Sequence, residues 1–149
     1  MQAKIRRTAR LATLGWVLGA WLGTAGAQQT APLEVVLTGV HSATGTVRVG
    51  LYRDPATFRK EAQAVKVVEV PAAQGDVRVQ VDGLPAGRYA IMAYHDENAN
   101  QKLDLRLGMF PIEGYGLSNN PSVIGPPKFD DSAFTLAPAG GSITMEMRY

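Results

Sequence analysis

Beyond residue 32, apolar and polar residues alternate with period two along most of the chain. Leu33, Val35 and Leu37 alternate with Glu34, Val36 and Thr38 as far as Gly39. Val47, Val49 and Leu51 alternate with Arg48, Gly50 and Tyr52, and Val77 to Val81 carry Arg78 and Gln80 on the opposite face. Ala64–Val70, Tyr89–His95, Ala133–Leu136 and Ile143–Tyr149 read in the same way. Side chains along a strand point alternately to its two faces, so this pattern predicts half-buried strands. About seven of them, punctuated by Gly and Pro with no βα alternation, predict an all-β fold: an antiparallel, Ig-like or transthyretin-like β-sandwich.

Two segments break the rhythm. Asp54-Pro55 has the chemistry of a helical start, with Phe58 facing inward, and predicts a short helical turn ending near Gln63. Residues 105–127 are rich in Gly, Pro and Asn but also carry Phe110 and Tyr115. Long irregular loops are uncommon in compact domains, and aromatic rings are costly to leave in water, so one long ordered loop is expected to fold over the sandwich.

The first 27 residues have a separate character. Lys4, Arg6, Arg7 and Arg10 precede an apolar run from Leu11 to Leu22, and Ala25-Gly26-Ala27 is a small-residue cleavage site. The three parts in this order predict a signal peptide over 1–27. The apolar run falls short of the roughly 20 residues of a spanning helix, so no membrane span is expected after its removal. A flexible leader is expected over 28–32 and one domain over 33–149. The expected compartment is the periplasm or the exterior.

Loss of the signal changes the charge. It carries four basic residues and no acidic one, so Lys+Arg fall from 15 to 11 against 13 Asp+Glu, leaving a net −2. Nothing in that balance suits nucleic acid or an anionic membrane as partner. The chain has no cysteine, which excludes disulfides, thiolate metal sites and a Cys nucleophile. An envelope component, a glycan or a protein is the expected partner.

Candidate chemistry gathers after the strand Tyr89–His95. Asp96, Asn98, Asn100 and Asp104 place oxygen-bearing side chains at alternate positions of a loop, a spacing that can turn several oxygens toward one hard cation, with calcium the candidate. The same residues close tight turns with no ion, which is their commoner use. Counted from Asp96 as an EF-type loop, Gln101 stands where the turn needs Gly, and Leu107 stands where a bidentate Glu belongs. A second group, Glu113, Tyr115, Ser118, Asn119 and Asn120, could offer a ring and amides to a ligand beside His95, or could satisfy loop backbone. The rival reading is a small hydrolase using His95 and a nearby carboxylate. Ser118, His95 and Asp96 do not form a convincing triad, because His95 and Asp96 are adjacent and neighbours on a strand face opposite ways. No G-x-S-x-G elbow is present.

The motif His95-Asp96-Glu97-Asn98, Asn100, Lys102-Leu103-Asp104, Glu113-Gly114-Tyr115-Gly116, Ser118-Asn119-Asn120, with Pro127, Phe129 and Ala133-Phe134 beyond it, resembles a family of exported bacterial proteins. That family is known as domain of unknown function twenty-one forty-one. The resemblance implies a secreted, periplasmic or envelope-associated β-sandwich and brings no activity with it. Where related loops often carry Gly, this chain has Ala99 and Gln101. The residues and the resemblance together describe an exported, non-catalytic binding or interaction module, with calcium ordering one loop as an added option.

Overall fold

The structure, a computed structural model, describes residues 29–149; the signal peptide expected over 1–27 lies outside them. The described chain is mostly β. Its strands are β1 (Thr30–Val40), β2 (Thr46–Tyr52), β3 (Lys66–Pro71), β4 (Gly75–Pro85) and β5 (Gly87–Asp96), then the short β6 (Leu105–Arg106), β7 (Phe110–Pro111) and β8 (Tyr115–Leu117), and finally β9 (Ala133–Leu136) and β10 (Gly141–Glu146). The seven predicted strands are all present, and the three extra ones lie inside the long loop. The leader expected over 28–32 is strand from Thr30 onward, with Ala31 fully buried. The segment after Asp54 forms successive turns and a 3₁₀ turn (Glu61–Gln63); the one α-helix among the described residues, α1 (Phe129–Ser132), is a single turn elsewhere. Asp54 does start its turn: its carboxylate accepts the Ala56 N–H at 2.8 Å.

Three sheets result among the described residues. One has the order β10-β1-β4, one has β3-β2-β5-β8 with β9 also pairing β5, and β6 pairs β7 alone. Most pairs are antiparallel as expected, but β1 and β10 run parallel, Leu33 facing Gly141 through to Thr38 facing Glu146. The fully antiparallel expectation is corrected at this pair. A parallel neighbour cannot be reached by a hairpin. Here β9 lies in the larger sheet, and the turn at Ala137–Gly140 returns the chain alongside the first strand.

The larger sheet is apolar on both faces. Register pairs Val47 with His95, Val49 with Ala93 and Leu51 with Ile91 on one face, and Arg48 with Tyr94, Gly50 with Met92 and Tyr52 with Ala90 on the other. The first face joins the main core, where Leu33, Val35 and Leu37 of β1 pack with Val79 and Val81 of β4 and with Tyr89 and Ile91 of β5. The second face carries a smaller cluster of Tyr52, Phe58, Ala90, Leu117 and Phe129. Phe58 meets Tyr52 and Phe129 edge-on, at centroid distances of 5.4 and 5.8 Å. Phe58 faces inward as expected, but it covers the outer face of the sheet.

Candidate functional site

His95 ends the inner face of β5 and is wholly buried. Its Nε2 lies 2.7 Å from the Thr44 carbonyl oxygen, which can only accept, so the proton sits on Nε2. Nδ1 then accepts the Tyr149 hydroxyl at 2.8 Å, and that hydroxyl in turn accepts the His41 N–H at 2.8 Å. Burial pushes the Tyr149 hydroxyl above its ordinary pKa, and the nearby charge of Glu97 adds to the shift. Both ring nitrogens of His95 therefore hold the chain together. Glycines make room for this corner: a Cβ on Gly114 would stand 2.4 Å from the Tyr149 ring.

The loop after β5 is closed by its own hydrogen bonds. Asp96, also wholly buried, accepts the N–H of Asn100 at 3.0 Å on one oxygen and that of Gln101 at 2.7 Å on the other. Asn98 and Asn100 turn their amide oxygens to the N–H groups of Asn100 and Lys102, and donate their NH₂ groups to Asp104 at 2.7–3.0 Å. Glu113 spans the loop from outside, accepting Glu97 N–H at 3.2 Å and Asp104 N–H at 3.0 Å. Ala99 and Gln101, the two residues standing where related loops often have Gly, both adopt left-handed backbone, with φ of 57° and 62°. For an L-residue that conformation costs roughly 1–2 kcal/mol. Among the described residues no three His, Cys, Asp or Glu side chains cluster in a metal-holding arrangement.

The other predicted site residues are spread over the flap. Ser118 is buried; its hydroxyl accepts the Ile91 N–H at 2.8 Å and reaches the Ser132 carbonyl. Asn119 donates to the Ala133 carbonyl at 2.7 Å. Asn120 accepts the Glu146 N–H at 2.7 Å and donates to the Thr144 carbonyl at 3.1 Å, so its amide pairs with the outer edge of β10 as a strand would. The structure brings His95, Asp96 and Glu113 to one corner, places Ser118, Asn119 and Asn120 along the seams between flap and sheets, and leaves only Tyr115 facing an open cavity.

That cavity, about 700 Å³, is a cleft over the outer face of the larger sheet. Its floor is Tyr52, Met92, Tyr94 and Tyr115. One wall is the arm made by β6 and β7, with Leu103, Leu105, Met109 and Phe110; the other is the segment with Val123, Pro126 and Pro127. Phe110, one of the two rings behind the expectation of an ordered loop, is 58 % exposed, and Leu107, Met109 and Ile124 are exposed with it. Arg59, Glu61, Gln101 and Lys102 bring the polar and charged groups of the lining.

Beside the floor, on the same face, Arg48 binds Glu61 at 2.5 Å and also contacts Glu69, while the Tyr94 hydroxyl donates to Glu61 at 2.8 Å. The Glu61 hydrogen bond raises the Arg48 guanidinium above its ordinary pKa. Burial and then Glu61 push Tyr94 up, and the same two causes push Tyr52 up to about 12. Sequence reasoning did not find this cleft, because its lining comes from four separate segments. One signal was present: Tyr52, Met92 and Tyr94 occupy the phase of β2 and β5 that a solvated sheet would fill with polar residues.

Fold and site define a mostly β domain with a half-roofed apolar cleft beside a self-bonded polar loop. The chain belongs to the family described as an uncharacterized protein conserved in bacteria, DUF2141, which matches residues 35–144. No curated protein and no solved structure matches it.

Proposed function

We propose that this protein is an exported, non-catalytic β-sandwich module that binds an apolar ligand in the cleft between the β6–β7 arm and the outer face of the larger sheet. The cleft is the observation that carries the reading. Ligand pockets typically measure roughly 300–1,000 Å³ and are mostly apolar with a few polar groups, and this one has that size and lining. Export rests on residues 1–27. The sandwich rests on β1 and β4 sharing one core with β2 and β5. The non-catalytic reading is supported by His95, whose ring nitrogens both serve the fold at full burial and are closed to substrate.

Calcium is a second reading of the Asp96–Asp104 loop, in which Asn98, Asn100 and Asp104 already touch one another. In that reading a cation would displace their NH₂ groups from Asp104 and order the loop that leads into the arm.

The test of the cleft uses N-phenyl-1-naphthylamine, a neutral dye that brightens in apolar sites. Both tryptophans lie in the first 27 residues, so the exported chain adds no indole emission. Saturable brightening is expected, abolished by Met92→Glu on the floor and by Phe110→Asp on the exposed arm. A circular-dichroism melt confirms that each variant folds. Absence of saturable brightening, or its survival in both folded variants, would refute the cleft as the binding site.

A further inference from the structure

We propose that the natural occupant of this cleft is a single-chain amphiphile with an anionic head, its chain lying over Met92 and Tyr115 and its head held at the rim by Arg59 and Lys102. The inference rests on the cleft reading and adds the class of ligand. The floor and walls supply apolar contact for a chain, but the charged groups of the lining are unequal. Glu61 is the one carboxylate there, and it is already engaged by Arg48 and by the Tyr94 hydroxyl. Arg59 and Lys102 are the two cations there, both exposed, and among the described residues neither forms an ion pair. The cleft therefore presents net positive charge in an exported chain whose overall balance is negative.

The backbone at the rim points the same way. Arg59 holds φ at 71° and Gln101, next to Lys102, holds 62°, conformations in which glycine would be unstrained. Costly backbone of this kind gathers at ligand-binding sites. A carboxylate or phosphate head would give the two cations the charge-assisted partners they lack, while its chain displaces water from Met92 and the tyrosine rings.

The experiment displaces bound N-phenyl-1-naphthylamine with four ligands of one chain length: laurate, lauryl phosphate, lauryl alcohol and laurylamine. Laurate or lauryl phosphate should compete at concentrations at least about tenfold below the alcohol, or 1.4 kcal/mol, with the amine weakest. Whichever of the two is stronger names the head. In the Arg59→Glu/Lys102→Glu double variant, changed only at exposed side chains, the order of competition should reverse in favour of the amine. Equal competition by acid and alcohol, or an order unchanged in the double variant, would overturn the anionic head while leaving the apolar cleft intact. Failure of the dye to bind at all would overturn both. Binding to anionic phospholipid vesicles without competition by soluble laurate would assign the surface to a bilayer and overturn the inference as well.

Discussion

Replacing Asp96 by Ala separates a loop that holds itself from a loop held by an ion. The Asp96 carboxylate is fully buried and accepts two backbone N–H groups, from Asn100 and Gln101. A hydrogen bond to a charged group contributes about 1.5–3 kcal/mol, and a buried donor left without a partner costs its desolvation. Two such bonds set the expected loss at about 3–6 kcal/mol. In a domain of this size that lowers the melting temperature by on the order of 10–20 °C. The assay is a thermal melt in EDTA and again in millimolar calcium, with a urea titration to confirm that the slope is unchanged. A self-closed loop gives the same large loss in both buffers, and Asp104→Ala, whose partners are exposed amides, loses far less. A loss below about 1 kcal/mol would refute the hydrogen-bond argument. A calcium-dependent rise in the unaltered protein, about 2.7 kcal/mol at a hundredfold excess over the dissociation constant and absent in Asp96→Ala, would put the ion in the loop.

Two further outcomes can be stated from the structure. Tyr52 has its folded pKa raised to about 12 from an ordinary 10, by burial first and Glu61 second. Its contribution to stability is therefore fully present below pH 10 and lost as pH rises toward 12, so the melting temperature should fall across that window while tyrosinate absorbance shows a late-titrating ring. Coincident titration of all five tyrosines near pH 10 would contradict this. Gln101→Gly should stabilise by about 0.5 kcal/mol, because relief of left-handed strain outweighs the added freedom of glycine in the unfolded chain; a lower melting temperature would show that the Gln101 side chain itself holds the loop.

The sequence was readable where a rule acts over many residues. Seven strands followed from alternation, because one buried face imposes period two. The parallel pairing of β1 with β10 did not, since Leu33–Leu37 and Ile143–Met147 alternate identically whichever way they run. Two-residue strands such as β6 and β7 are too short to show any period. At the polar loop, residue type announced side chains that bond nearby backbone: Asp96, Asn98 and Asn100 do so within five residues. The departures Ala99 and Gln101 marked the two left-handed positions. The cleft was not readable, because it exists only once Arg59, Met92, Lys102 and Val123 are brought over one sheet face. The amides of Asn119 and Asn120 showed a need for partners but not which strands would supply them.

The side-by-side course of the first and last strands also governs how the domain responds to force. Because β1 and β10 run the same way, the start of β1 and the end of β10 lie at opposite ends of one ladder. Tension applied through the two ends of the domain runs along that ladder and drags one strand lengthwise past the other. The six register pairs from Leu33–Gly141 to Thr38–Glu146 then bear the load together, whereas a hairpin pulled at its open end parts one bond at a time. A domain tethered at one end and tugged at the other is thus braced by the junction that joins its beginning to its end.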